Sequence, residues 1–291
     1  MEKKDISRYL NTIIFIGLLF ALFLWSSVFR NAEANLSGFE AQISFLDVGQ
    51  GDAALINLPG STQVLIDGGE GGFVLDQIKS RMPSGDKKIE YVVASHPDAD
   101  HIGGLPSVVK SYEVGEYISN GAQNSSQVYT DLKNVVEEKH VAKRDVSQGD
   151  TLNFAPGADA LMLWPNEEGK KLSSNNGSLV LKFTYKGACA LFAADAETEA
   201  QNRIMAIYSK ENLSCELFKV PHHGAATALN RKFTGEVAPK YAVVSVGKNN
   251  SYGHPTQAVL DALGEVKAQI FRTDKEGTID FATNGGNWTK R

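Results

Sequence analysis

Ser95-His96-Pro97-Asp98-Ala99-Asp100-His101-Ile102-Gly103-Gly104 is the stretch on which the reading of this chain turns. Two imidazoles and two carboxylates fall between His96 and His101, directly after the apolar run Tyr91-Val92-Val93-Ala94. A strand that stops abruptly in such a loop aims its polar side chains at one spot beyond its end. Imidazole nitrogen mixed with carboxylate oxygen suits Zn, Mn or Fe better than Ca, which takes oxygen alone. Four donors so close together exceed what one ion uses comfortably, so the stretch reads as a centre for two ions. A polar turn with incidental histidines is the plain alternative, and the rest of the chain weighs against it.

The same grammar recurs along the sequence. Gln63-Val64-Leu65-Ile66 runs into Asp67-Gly68-Gly69, and the hairpin Ser178–Tyr185/Ala188–Ala193 runs into Asp195. Glu216–Val220 delivers Pro221-His222-His223-Gly224, and Tyr241–Val246 is followed by a loop ending in His254-Pro255. Of the six histidines, His140 alone falls outside these places. One histidine after one strand is usually a hydrogen-bonded structural residue. Five are too many for that reading, and strands in two sheets would bring such ends to a shared edge.

Alternation and turn residues give the remaining elements. Strands are expected at Gln42–Val48, Ala53–Leu58, Ile89–Ala94 and Ala160–Trp164, and around Ile270 and Ile279. Helices are expected at Phe73–Met82, Leu105–Tyr112, Ser126–Lys139, Glu197–Tyr208 and Thr256–Gly264. The polar loop Pro165–Gly177 is either a flap facing substrate or a surface excursion.

With 42% hydrophobic and 22% charged residues, the chain has the composition of a globular protein. Its start differs. Lys3, Lys4 and Arg8 precede a charge-free apolar run from Ile13 to Phe29, and Ala32-Glu33-Ala34 follows. Residues 1–34 therefore read as a signal peptide or a single-span membrane anchor, with 35–39 as linker and 40–291 as the domain. Either version exports the domain. A net charge of −5 disfavours tight non-specific binding of nucleic acid over the whole surface. Cys189 and Cys215 lie in apolar surroundings and are expected as buried free thiols, although export would permit a disulfide.

Phe45-Leu46-Asp47-Val48-Gly49-Gln50-Gly51-Asp52-Ala53, the Ser95–Gly104 stretch, Val220-Pro221-His222-His223-Gly224, and Ser245-Val246-Gly247 through Tyr252-Gly253-His254-Pro255 occur in that order. Together they resemble the metallo-β-lactamase superfamily, and more narrowly the exported hydrolase domain of ComEC-type competence proteins. One apolar segment cannot form the multi-span channel of those proteins. The resemblance implies an α/β fold, a four-layer αβ/βα sandwich, and a dinuclear site of Zn or Mn. His96 and Asp98 would hold the first ion, Asp100 and His101 the second, and Asp195 would bridge them. His223 or His254 would complete the second ion's ligands. Whichever of His222, His223 and His254 is not a ligand would protonate the leaving group or hold a phosphate oxygen, and Asp67 would orient the metal loop.

Two departures from the superfamily pattern matter. Ser173-Ser174-Asn175-Asn176 stands where a third histidine for the first ion is general, and Asp98 where a histidine is usual; together these make that site oxygen-rich and favour Mn or a weakly held ion over tightly bound Zn. Ala193-Ala194-Asp195 stands where Thr-Gly-Asp is commoner, and Gly224-Ala225 where Gly-Ser is.

The expected function is an exported metal-dependent hydrolase, most simply a phosphodiesterase or nuclease. Asp100 would take the water's proton, and His222 or His254 would serve the leaving group. Its partners would be a phosphoester substrate such as extracellular nucleic acid, and the membrane if the amino terminus is uncleaved. The alternatives are hydrolysis of another anionic ester (a cell-wall phosphocholine ester, a lactone or a lactam) or an inactive metal-binding module.

Overall fold

Strands buried on both faces carry near-continuous apolar runs, and the chain has two sheets of them. A computed structural model describes residues 41–291 together with Gly17; the reading of 1–34 as signal or anchor and of 35–39 as linker lies outside the described residues. The first sheet contains β1 (Ala41–Phe45), β2 (Ala54–Leu58), β3 (Thr62–Ile66), β4 (Lys88–Ala94), β5 (Glu113–Ser119) and β6 (Ala142–Asp145). The second contains β7 (Thr151–Ala155), β8 (Ala158–Trp164), β9 (Val180–Tyr185), β10 (Ala188–Phe192), β11 (Leu217–Lys219), β12 (Tyr241–Val244) and β13 (Gln269–Arg272). The chain then returns to the first sheet with β14 (Ile279–Thr283) and β15 (Thr289–Lys290). The strand orders are β15-β14-β1-β2-β3-β4-β5-β6 and β13-β12-β11-β10-β9-β8-β7.

Period-two alternation sorts the side chains of each strand between two cores. Ile56, Val64, Val93, Leu181, Phe183, Phe192 and Phe281 fill the layer between the sheets. Their sequence neighbours Leu55, Leu65 and Val92 face outward, under the helices Phe73–Lys79, Leu105–Ser111 and Gln127–Glu138. Val180, Leu191 and Phe218 do the same on the second sheet, under Thr198–Ile207, Arg231–Val237 and Gln257–Glu265. The result is the expected four-layer αβ/βα sandwich. Helix Gln127–Glu138 shows why such segments are helical: Leu132, Val135 and Val136 share one buried face, and the Ser126 hydroxyl accepts from the Tyr129 N–H at its start. Losing that cap would cost about 1 kcal/mol.

Topology, more than any single element, positions the functional residues. β3-β4-β5-β6 pair in parallel, as do β10-β11-β12-β13, while the other half of each sheet is antiparallel. Parallel strands all end at the same edge, so the segments after β3, β4, β10, β11 and β12 converge there. Leu179 N donates to Ser95 O (2.9 Å), tying the two sheets together at this edge. The exposed turn Pro59-Gly60-Ser61 joins β2 to β3 at the opposite end of the same strands.

Several expectations are corrected. β1 stops at Phe45 rather than Val48, because Leu46 and Val48 leave the sheet to pack beneath the loop with Leu105. The first outer helix ends at Lys79, short of Met82. β5, β6, β7 and β15 are additional; β6 and β15 are wholly exposed, so no apolar pattern marks them. Cys189 and Cys215 are not free thiols but a disulfide, their Cα atoms 5.4 Å apart. Parallel pairing of β10 with β11 sets the first beside the residue that leads into β11.

Candidate metal centre

β3 leads directly into Asp67, a buried residue held in the left-handed backbone region (φ 57°). Its carboxylate accepts from Ser95 N (2.8 Å) and Ser95 Oγ (2.7 Å) and lies 2.8 Å from His101 Nδ1. With Nδ1–H donated to Asp67, His101 turns Nε2 toward Asp195 Oδ1, 3.1 Å away. His96 Nδ1 lies 3.0 Å from Ser95 Oγ, which can accept its proton and leave His96 Nε2 free as well. Asp98 Oδ2 is 3.6 Å from that nitrogen, while Asp98 Oδ1 accepts from Ser174 Oγ (2.6 Å). The short helix Ala99–Ile102 carries Asp100 and His101. It packs against Gly51 so closely that a Cβ there would meet Asp100 O at 2.0 Å, which requires glycine.

Asp195 is the hub contributed by the second sheet. It is 3% exposed, and its Oδ2 lies 3.8 Å from His222 Nε2, 3.9 Å from His223 Nε2 and 4.0 Å from His96 Nε2. After β11, His222 (φ 45°) and His223 (φ 51°) both adopt left-handed backbone, which splays adjacent imidazoles apart. Such conformations cost about 1–3 kcal/mol each and persist where the surroundings enforce them. His222 Nδ1 is held by Glu197 Oε1 at 2.9 Å. His223 Nδ1 lies 3.0 Å from Ser245 O and 3.1 Å from Asp52 Oδ1, and its Nε2 is 3.0 Å from Asp100 Oδ2. Beneath it runs a buried ion pair, Lys219 Nζ to Asp52 Oδ2 at 2.6 Å; Lys219 also donates to Val220 O (2.9 Å).

Asp100, His101, Asp195 and His223 each offer one ligand atom, and these atoms all lie within 4.8 Å of one another. His96 Nε2, His101 Nε2 and Asp195 Oδ1 are buried without a hydrogen-bond partner. Buried polar atoms without partners are rare, and a convergent set of nitrogen and carboxylate donors fits a divalent cation. The charges agree. Burial opposes ionisation of Asp195, but His101 and His223 hold its carboxyl well below the usual range. Burial likewise opposes a charged His223, yet Asp52, Asp195 and Asp100 raise it to about 9, and Asp195 and Asp67 raise His101 well above its usual value. The His96 imidazole beside Asp98, and then the Ser174 hydroxyl, lower its carboxyl against burial. His101 and His223 thus hold protons against ionised carboxylates, where a cation would otherwise sit.

The expected site residues thus gather at one edge, with differences of detail. His223, not His254, joins Asp100, His101 and Asp195 in the four-donor group. His254 stands beside His222, ring centroids 6.1 Å apart, with its own Nδ1 buried and unpartnered. His96 Nε2 approaches the same Asp195 oxygen as His222 and His223, and Asp98 stands behind it, 3.6 Å from His96 Nε2. Part of the Pro165–Gly177 loop faces the centre: Ser174 binds Asp98, and Asn175 Nδ2 is 3.5 Å from His222 Nε2. Asn176 instead accepts from the Trp164 indole (2.6 Å) and Ala200 N (3.1 Å), which pins the loop.

Asp52, Lys219, Glu197 and Ser95 carry roles that sequence reading did not give them. Lys219 offered a signal, a lone charge inside the apolar run of β11. Glu197 resembled an ordinary helix start.

Residues 46–248 match the family model described as the metallo-beta-lactamase superfamily. ComE operon protein 3 of Bacillus subtilis (strain 168) is 28% identical over 299 residues, covering 97% of this chain and 37% of that protein. Competence protein ComA of Neisseria gonorrhoeae is 28% identical over 247 residues, covering 85% of this chain and 33% of that protein. The chain therefore spans about a third of the length of these curated relatives. Among solved structures, Igni18, a metallo hydrolase from Ignicoccus hospitalis, superposes with a TM-score of 0.54 at 15% identity, over 82% of this chain and 98% of that one. CmlA, a diiron beta-hydroxylase from Streptomyces venezuelae, gives 0.52 at 14% identity, over 80% and 53%. At such identities these structures share the fold alone.

Proposed function

The chain belongs to the metallo-β-lactamase superfamily, and from that premise we propose that it is an exported phosphodiesterase acting on nucleic acid strands. The observation that carries the reading is the four-donor group around Asp195, with partnerless nitrogens of His96 and His101 aimed into it. Asp100, His101, Asp195 and His223 would hold one divalent ion; His96 and Asp98, sharing Asp195, would hold a second. Carboxylates outnumber imidazoles around the second, which suits Mn as well as Zn. Two such ions would supply an activated water and electrophilic assistance to attacking and leaving oxygens of a phosphoester.

The chain's own residues do the rest. Asp100 accepts the proton of the attacking water as the new P–O bond forms. His222, its Nδ1 fixed by Glu197, presents Nε2 to the leaving oxygen and protonates it as the old P–O bond breaks. Asp67 keeps His101 in one tautomer, and the Asp52–Lys219 pair does so for His223. Export is supported by the Cys189–Cys215 disulfide, a bond that persists in oxidising compartments, and by the apolar amino-terminal run. The two competence relatives support a nucleic acid substrate.

The test is metal analysis of the purified protein together with turnover of a para-nitrophenyl phosphodiester after Mn or Zn addition. About two ions per chain and metal-dependent turnover abolished in Asp195→Ala support the reading. One ion or none, without turnover under either metal, overturns it and leaves a binding module. Faster hydrolysis of an aryl carboxylic ester or a lactam than of the phosphodiester overturns the substrate class.

A further inference from the structure

Among the described residues, three large hydrophobic side chains are exposed: Phe73 (70%), Ile207 (53%) and Tyr252 (68%). Phe73 and Tyr252 line the same groove, about 630 Å³, between the β1–β2 turn, the start of helix Phe73–Lys79 and the loop Gly247–Tyr252. The groove adjoins the metal centre. The Tyr252 ring stacks on His254 (centroids 5.6 Å apart, planes at 20°), and His254 stands 6.1 Å from His222. A row of rings thus leads from the exposed rim to Asp195. The loop is held in place: Gly247 N donates to Gln50 Oε1, Asn250 Nδ2 to Gly247 O and His254 O, and His254 N to Asn250 Oδ1. Tyr252 is therefore an aromatic face presented on a fixed support.

The lining selects among ligands. Asp47, Glu70 and Asp76 repel a phosphate, and Lys248 is the single cation among the lining residues. The same carboxylates, with the Asn249 amide, accept or exchange hydrogen bonds with ring N–H and exocyclic amino groups. A flat ring with donor-bearing edges fits this groove, while its phosphate fits the metal centre next door.

We propose that the Phe73–Tyr252 groove is a nucleobase subsite, in which the base beside the scissile phosphodiester stacks on Tyr252. This assignment rests on the phosphodiesterase reading and names the substrate class of that site: a single strand whose base is free to stack. Stacking of one base on one aromatic side chain is worth about a five- to hundredfold change in affinity.

The experiment compares the para-nitrophenyl ester of thymidine monophosphate with methyl para-nitrophenyl phosphate on the metal-loaded full chain. Both release the same leaving group, so the nucleoside distinguishes them, and the Tyr252 variants separate stacking of its base from contacts of its sugar. The wild type prefers the nucleoside ester. In Tyr252→Ala the ratio of the two kcat/KM values falls about five- to hundredfold through KM, whereas Tyr252→Phe retains it. Equal losses on both esters overturn the subsite and make Tyr252 a support for His254; an unchanged ratio also overturns it. If the wild type hydrolyses neither ester, the phosphodiesterase reading has failed, and calorimetric binding of adenosine monophosphate decides the groove by itself. Binding that Tyr252→Ala weakens keeps the subsite, and no binding removes it. Binding of phosphocholine in place of the nucleotide, with the same dependence on Tyr252, also overturns the proposal.

Discussion

Replacing Lys219 by methionine tests the layer beneath the metal centre. The Lys219 and Asp52 side chains are 4% and 7% exposed, and their charged atoms are 2.6 Å apart. Burial opposes ionisation of Asp52, yet Lys219 and His223 hold its carboxyl far below the usual range. Methionine keeps the apolar stem and removes the charge, so Asp52 is left buried with His223, and more weakly His101, as its remaining charged neighbours. Breaking a buried pair in this way costs about 3–5 kcal/mol. For a domain of this size that lowers Tm by about 6–20 °C. Urea denaturation of chelator-treated protein measures the loss directly. The double variant Lys219→Met/Asp52→Asn removes both charges and should regain most of the stability. Its metal affinity stays about 10–100-fold weaker, because a neutral amide replaces the carboxylate facing His223 Nδ1. A single variant within 1 kcal/mol of the parent would refute the reasoning, since water must then reach Asp52. So would a double variant no more stable than the single one.

Ala194 holds φ 42° directly before Asp195, so Ala194→Gly should raise stability by about 1 kcal/mol, read as a higher urea midpoint with unchanged slope. The disulfide closes a loop of 26 residues' separation; Cys189→Ser/Cys215→Ser should lose roughly 3.5 kcal/mol on the chain-entropy account, and reductant should lower the Tm of the wild type alone. His223 has a raised pKa of about 9, so in metal-free protein its stabilising charge is complete below its unfolded value and is lost as pH climbs toward 9. A cation needs the neutral imidazole, so over the same interval metal affinity should rise with pH and binding should release protons; titration in two buffers of different ionisation enthalpy checks this, and pH-independent affinity would contradict it.

Strand ends were the legible part of this molecule. Asp67, His96, His101, Asp195, His222 and His223 each follow an apolar run, and parallel pairing carries all of those ends to one edge. Local pattern could not show which side chain meets which. Lys219 and Asp52 lie 167 residues apart, and a lysine in β11 makes sense only beside its partner. Glu197 gains its role from a turn 25 residues later. β6 has no buried residue and exists through its ladder to β5, so hydrophobic alternation passes over it. The cysteines misled for a related reason. Apolar surroundings predict burial of each thiol, whereas bonding depends on which strands are neighbours.

The turn Pro59-Gly60-Ser61 sits at the far end of the strands that start after Asp52 and finish at Asp67. Five-residue strands separate it from the donors by about 17 Å. It is exposed, and β2 and β3 on either side of it are locked in register. A bead, a dye or a second protein fastened there would leave the working edge open to solution. The molecule therefore comes with a handle, and a surface of copies held by it would present every catalytic mouth outward.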